Sequence, residues 1–182
     1  MVRARFICSL YLALVVVLVC CLCFEASAIM KALSTEKLTR TSQIIILGKV
    51  GSVKAQWSED GKKIVTRAFV TITEVIRGKT TGRNVVVEYD GGEIDGIGLK
   101  VSDVSPLYSG ERVLLFLRPG KKDENVVTFN VVGKAQGKYT VGRDGIARKK
   151  GFSLMGEKYL VDNHVPLDEL IRKIRAVKLE QP

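Results

Sequence analysis

The chain's stock of reactive side chains is small: one histidine, four cysteines and nineteen carboxylates in 182 residues. His164 lies between Asn163 and Val165, two residues after Asp162. A nucleophile–histidine–carboxylate arrangement would need a serine such as Ser153 brought beside it, together with an oxyanion hole. No Gly-x-Ser-x-Gly elbow marks such a serine, and a lone histidine ahead of a helix reads as a surface or capping residue. The cysteines, Cys8, Cys20, Cys21 and Cys23, all precede residue 24. The chain beyond them holds no thiolate set, and a single imidazole does not make a zinc site. That leaves oxygen ligands for calcium. Asp90, Glu93 and Asp95, with Asp103 nearby, are the candidates, but Gly92 and Ile94 stand where ligands would be wanted and the Asp-x-Asp-x-Asp-Gly spacing is missing. The stretch reads instead as a solvated, glycine-rich, acidic connector that is flexible. There is no Gly-x-x-x-x-Gly-Lys-Ser/Thr run to cradle a phosphate. The expectation is a protein that is not an enzyme, with no catalytic residues, no metal and no cofactor.

Recognition is the chemistry that remains. Trp57 sits near a hairpin tip marked by Ser58-Glu59-Asp60-Gly61, where a large amphipathic ring is either a lid on the core or a contact anchor. Trp57, Glu59, Asp60, Asp90, Glu93 and Asp95 are therefore the candidate partner-binding residues. Trp57, Phe69, Tyr89, Phe116 and Phe129 lie on or beside expected strands and could stack bases, but most of them must be core. Nucleic acid is not an expected partner, because the chain reads as exported.

The export signal begins with Arg3 and Arg5, continues through an uncharged run from Phe6 to Phe24, and ends at Ala26-Ser27-Ala28, a small-x-small cleavage site. Cleavage after Ala28 starts the mature chain at Ile29. The alternative is an uncleaved anchor, since the run is long enough to cross a bilayer. Cys20, Cys21 and Cys23 raise a third reading, lipidation, but the residues before them are not the small ones that a lipid-attachment site wants. With the leader go two arginines and one glutamate, leaving 27 basic and 18 acidic residues and a net charge of +9 on a cysteine-free domain. A basic exported domain suits anionic lipid head groups, acidic envelope polymers or an acidic protein, and its mixed-sign surface suits plain solvation. No block of five like charges occurs; Arg148-Lys149-Lys150 is the densest cluster and looks like a turn flank. A core without disulfides fits a bacterial envelope better than an animal fluid.

The elements that must position these residues are mostly strands. A short helix begins near Ser34, its cap, with Glu36 in the first turn, and ends by Ser42. Gln43 to Val50 and Ile64 to Ile76 read as long strands joined around Trp57 by the Asp-Gly hairpin. Asn84 to Tyr89, a short piece from Gly98 to Val101, and Arg112 to Leu117 come next, the last stopped by Pro119-Gly120. Val113, Leu115 and Leu117, between Arg112 and Arg118, are expected to face the interior. Val126 to Val132 and Gly137 to Val141 read as a closing hairpin. Pro166 then opens a helix with Leu167, Leu170, Ile171, Ile174 and Val177 in one stripe.

Short strands with frequent turns and helices only at the ends predict a mostly β fold, a small antiparallel OB-like barrel with a short N-terminal helix and a C-terminal helix packed on it. Gly48 and Gly51 would let the first strand bend around a barrel corner. The expected division is 1–28 leader, 29–42 lead-in helix, 43–160 barrel and 161–182 C-terminal helix.

Three stretches, Ser42 to Val50, Val70 to Gly78 and Gly110 to Leu117, resemble the strand pattern of the inhibitory, netrin-like domain of tissue inhibitors of metalloproteinases, and also exported bacterial proteins of unknown function. The resemblance spans roughly Ser42 to Lys138 and rests on strand hydrophobicity and a few glycines. It implies an OB-type barrel and contact with an exported protease along one barrel edge, made of the segment before Ser42, the Trp57 hairpin and the loop from Asp90 to Gly96. The family's zinc-chelating N-terminal cysteine does not carry over, because this mature chain would begin at Ile29 and holds no cysteine. The functional expectation is a monomeric, non-enzymatic exported module in the periplasm or outside the cell that binds another protein. The alternative is a membrane-tethered structural module whose basic surface faces anionic lipid or envelope polymer.

Overall fold

The computed structural model describes residues 30–123, 126–152, 154–155 and 161–178. The leader up to Ala28 and Ser153 lie outside the described residues. Among the described residues no helix is long and apolar enough to cross a membrane.

After the two-residue strand β1 (Met30–Lys31) comes helix α1 (Thr35–Thr41), whose Ser34 hydroxyl accepts from the Lys37 N–H at 3.2 Å. Two long strands, β2 (Ile44–Trp57) and β3 (Ile64–Arg77), form a hairpin. Then come β4 (Asn84–Asp90), the short β5 (Gly92–Ile94) and β6 (Ile97–Leu99), β7 (Arg112–Asp123) and β8 (Val126–Val131). A 3-10 turn over Lys134–Gly137 leads to β9 (Lys138–Val141), β10 (Ile146–Arg148), β11 (Leu154–Met155) and β12 (Val165–Pro166), and helix α2 (Leu167–Ala176) closes the fold.

The fold is mostly β, with one sheet ordered β12-β10-β9-β7-β2-β3-β4-β8. Because β8 also pairs with β7, the sheet closes partway into a ring. The seam is thin: β4 and β8 run parallel and share two residue pairs, Val86 with Thr128 and Val87 with Phe129. The ring needs strong bending, and β2 supplies it at register shifts beside Gly48 and between Val50 and Val53. A Cβ on Gly48 would stand 2.6 Å from the Thr71 carbonyl oxygen, so only glycine lets the two strands come this close.

Each face of the sheet has its own core. Ile44, Ile46, Val50, Ala68, Val87, Val113, Leu115 and Leu117 pack inside the ring. On the other face Ile45, Leu47, Leu114, Phe116 and Tyr139 are covered by Leu38 of α1 and by Leu167, Leu170 and Ile174 of α2. Val113, Leu115 and Leu117 therefore face inward, as their alternation with charged residues implies. Leu114 and Phe116 are just as buried, because the helices cover the second face.

Three expectations about elements are corrected. Pro119-Gly120 does not stop β7, which runs on to Asp123 with a register shift between Pro119 and Lys122. β2 begins at the Ile44–Leu117 pair, so beyond Leu117 β7 has, among the described residues, a strand on one side only, and a missing N–H on the other side costs little. The closing hairpin does not form either: β8 and β9 lie one after the other along β7, separated by the 3-10 turn. Finally, the stretch after Asp90 is not a loose loop, since β5 and β6 pair antiparallel across a turn at Asp95 (φ 50°) and Gly96 (φ 77°).

Candidate functional site

The site expected from the sequence divides when the chain folds. The Trp57 hairpin and the acidic stretch come together: β5 packs on β2 and β3, and the Lys63 ammonium meets the Asp90 carboxylate at 2.6 Å. That bond raises the Lys63 pKa above the usual lysine value. The segment before Ser42 does not join them. Leu38 of α1 belongs to the helix-covered face, whereas Val53 packs with the core inside the ring. α1 turns Thr35, Leu38 and Thr39 inward, and the elements it packs on are β7 and α2.

Trp57 ends β2, cross-strand from Ile64, and is 46% exposed, which makes it a surface ring and not a lid on either core. At the hairpin tip Glu59 is exposed, and the Asp60 carboxylate accepts from the Ser58 hydroxyl at 2.6 Å and from the Lys62 N–H at 3.3 Å. Asp60 thus organises the turn. Asp95 stands at the tip of the β5–β6 hairpin. Asp90 and Glu93 line a groove of about 910 Å3; Trp57, Glu59, Asp60 and Asp95 are not part of its lining.

Three walls build this groove. The first is the inner side of the β2–β3 hairpin, where Val53, Ala55 and Thr66 alternate toward it. The second is the β5–β6 hairpin, laid close on the first through Gly92. Gly92 has φ +139°, and a Cβ there would meet the Thr66 hydroxyl oxygen at 2.5 Å and the Ala55 methyl at 2.9 Å. Thr66 donates to the Gly91 carbonyl at 2.5 Å, and the Gly91 N–H bonds the Ile64 carbonyl at 2.9 Å. The third wall is the segment Val101 to Ser109, with Leu107 buried and Tyr108 61% exposed.

Two polar devices hold the third wall. Tyr89 donates to the Leu107 carbonyl at 3.4 Å and accepts from the Leu107 N–H at 3.3 Å, and its burial pushes the phenol pKa up. Lys138 runs under the wall, nearly fully buried, and donates to Glu111 at 2.8 Å and to the Pro106 carbonyl. Burial lowers the Lys138 pKa, with Glu111 opposing the shift. Glu111 also accepts from the Tyr108 N–H at 3.1 Å, so one carboxylate ties the turn to the buried ammonium. Beyond Tyr89 a second hollow of about 340 Å3 opens toward Arg118, Asn130 and Lys134.

Two of the four candidate calcium ligands are engaged in separate ion pairs: Asp90 with Lys63, and Asp103 with Lys134 at 3.7 Å. Among the described residues no three histidine, cysteine or carboxylate groups gather as a metal site would need. His164 is exposed on a turn with φ +56°.

The groove's apolar lining was not singled out from the sequence. The alternation Val53, Ala55, Trp57 was a readable signal, because three apolar residues on one side of a strand end need cover or a partner. Leu99 and Tyr108 carried none, lying in stretches rich in turn residues. No protein-family model matches this chain, and no curated protein matches it in sequence.

Proposed function

We propose that the chain is an exported, non-enzymatic binding module that engages another protein through the groove beside the Trp57 hairpin, an exported protease being the partner class to test first. One observation carries the reading: the groove of about 910 Å3 is lined by Val53, Ala55, Tyr89, Leu107 and the exposed Leu99 and Tyr108, with Asp90 and Glu93 among them, and exposed Trp57 follows Val53 and Ala55 in the alternation of β2. Exposed apolar side chains clustered around a concavity are the usual mark of a contact surface. A non-enzymatic role is supported by the ion pairs that already occupy Asp90 and Asp103 in the groove lining. His164 lies in the turn before α2, and none of the groove's walls includes it. The proposed fold under this function is an OB-type barrel. Supporting it are the ring order β7-β2-β3-β4-β8, the parallel β4–β8 seam and the coiled, bulged β2.

Photo-crosslinking tests the groove. A photoreactive residue in place of Leu99 or Tyr108 should capture a defined protein from the envelope fraction, while one in place of Arg172, exposed on α2 over the opposite face of the sheet, should not. Filling the groove with Ala55→Trp should abolish the capture. Equal capture from all three positions would sink the reading. Trp57→Ala completes the test: as a contact anchor it should weaken binding by about 2 kcal/mol while leaving the unfolding midpoint nearly unchanged. A lowered midpoint with unaltered affinity of the folded fraction would return Trp57 to a structural role.

A further inference from the structure

The groove lies beside a strand edge with which, among the described residues, no further strand pairs. β7 pairs with β2 from Ile44 to Lys49, and the last backbone bonds on that side are Val50 N–H to the Glu111 carbonyl (2.9 Å) and Gly110 N–H to the Val50 carbonyl (2.8 Å). From Val53 to Trp57 β2 pairs with β3 alone, and among the described residues no strand lies against its other side. Such an edge presents a row of unpaired donors and acceptors spaced for another strand.

We infer that the edge from Ser52 to Trp57 takes an extended segment of the partner protein as an added strand, and this rests on the groove reading above. The side chains of an added strand alternate between two faces. One set enters the groove against Val53, Ala55, Leu99 and Tyr108, which calls for apolar residues. The other set falls on the opposite face, where Lys49 and Lys54 are exposed, and this calls for acidic residues. The partner segment is thus an extended peptide alternating apolar and acidic side chains, held by main-chain hydrogen bonds and sorted by its side chains. A second copy of this chain is the poorer occupant, because antiparallel pairing of like edges puts Lys49 and Lys54 of both copies on one face.

The probe is an eight-residue labelled peptide alternating glutamate and valine, added to the full mature chain. Two versions accompany it, one N-methylated at every valine and one at every glutamate. Successive N–H groups of a strand point to opposite edges, so each version disables one edge of the peptide. The expected result is that one version loses at least tenfold in affinity and the other binds within about threefold of the parent. Hydrogen exchange of amides between Ser52 and Trp57 should slow on binding. Lys54→Glu should weaken the acidic peptide at least threefold and favour one that alternates lysine and valine. Equal binding of both methylated versions, unchanged exchange in this segment, or no binding of the parent peptide would each overturn the added strand. If the peptides bind alike and Ala55→Trp abolishes them all, the groove reading stands and the strand falls. If none binds, the crosslinking experiment judges the groove separately.

Discussion

Lys149 carries its ammonium to a place where, among the described residues, no group accepts its protons. The residue is 4% exposed, its Nζ has no hydrogen-bond partner among them, and the Tyr139 ring lies 4.4 Å away. Burial lowers its pKa from 10.5 to about 7, with Asp162 opposing the shift and Lys173 adding to it. Asp162 is engaged elsewhere: burial pushes its carboxyl up, and Lys173 at 2.8 Å with Thr35 at 2.5 Å outweighs this and holds the pKa below the usual range. In the unfolded chain Lys149 holds its proton up to about pH 10.5, while the folded chain gives it up near 7, so between these values unfolding takes up a proton. Stability therefore rises with pH across that window, and the full cost of the buried charge is felt below pH 7. Lys149→Met should stabilise the chain at pH 6 by as much as roughly 4 kcal/mol, with the gain shrinking by about pH 10. Urea midpoints of both proteins at the two pH values check this; an equal difference at both would show that Lys149 keeps its proton in the folded state.

At the scale of elements, β7 and the β5–β6 hairpin make opposite demands. Leu115 is fully buried in the ring interior beside β2 and β9 neighbours, so Leu115→Ala leaves a cavity that rigid strands cannot close. A loss of about 2 to 5 kcal/mol in denaturant titrations is expected, and an unchanged midpoint would put this strand elsewhere. The β5–β6 hairpin has few apolar anchors, and it is held to the sheet by the backbone approach at Gly92. Gly92→Ala combines a strained positive φ with contacts at 2.5 and 2.9 Å, so the hairpin should lift and not compress its neighbours. The expected cost is about 1 to 3 kcal/mol, with faster hydrogen exchange confined to residues 91–99 and weakened partner binding. Faster exchange throughout β2 and β3 instead would mean that the hairpin is part of the ring's cooperative unit.

For the whole molecule, the two cores share the strands that divide them. Ile44 and Ile46 of β2 face one core and Ile45 and Leu47 the other, and Leu114 and Leu115 split likewise on β7. Neither core can be lost without unpairing the strands that carry the second, so unfolding should be one cooperative transition. Trp57 fluorescence reports the hairpin tip, and far-ultraviolet circular dichroism reports the sheet and helices. Their denaturation curves should coincide; an earlier change at Trp57 would show that the far end of β2–β3 opens independently.

The elements themselves were legible in the chain. Local signals set them: the Ser34 cap, the Asp60-Gly61 turn, the β-branched runs of β2, β3 and β7, and the apolar stripe of α2 are all short-range preferences that survive folding. Composition likewise limited the chemistry, since one histidine and no cysteine beyond residue 23 leave few ways to hold a metal or attack a bond. Pairing was another matter. That β7 passes through Pro119, that β8 and β9 share one edge of β7, and that α1 leaves the Trp57 hairpin for the opposite face depend on contacts between residues far apart in sequence. The groove depends on the same contacts, because its lining comes from β2, β3, β5, β6 and the segment before β7. Its residues are ordinary singly, and only the bend of β2 away from β7 gathers them around a free edge.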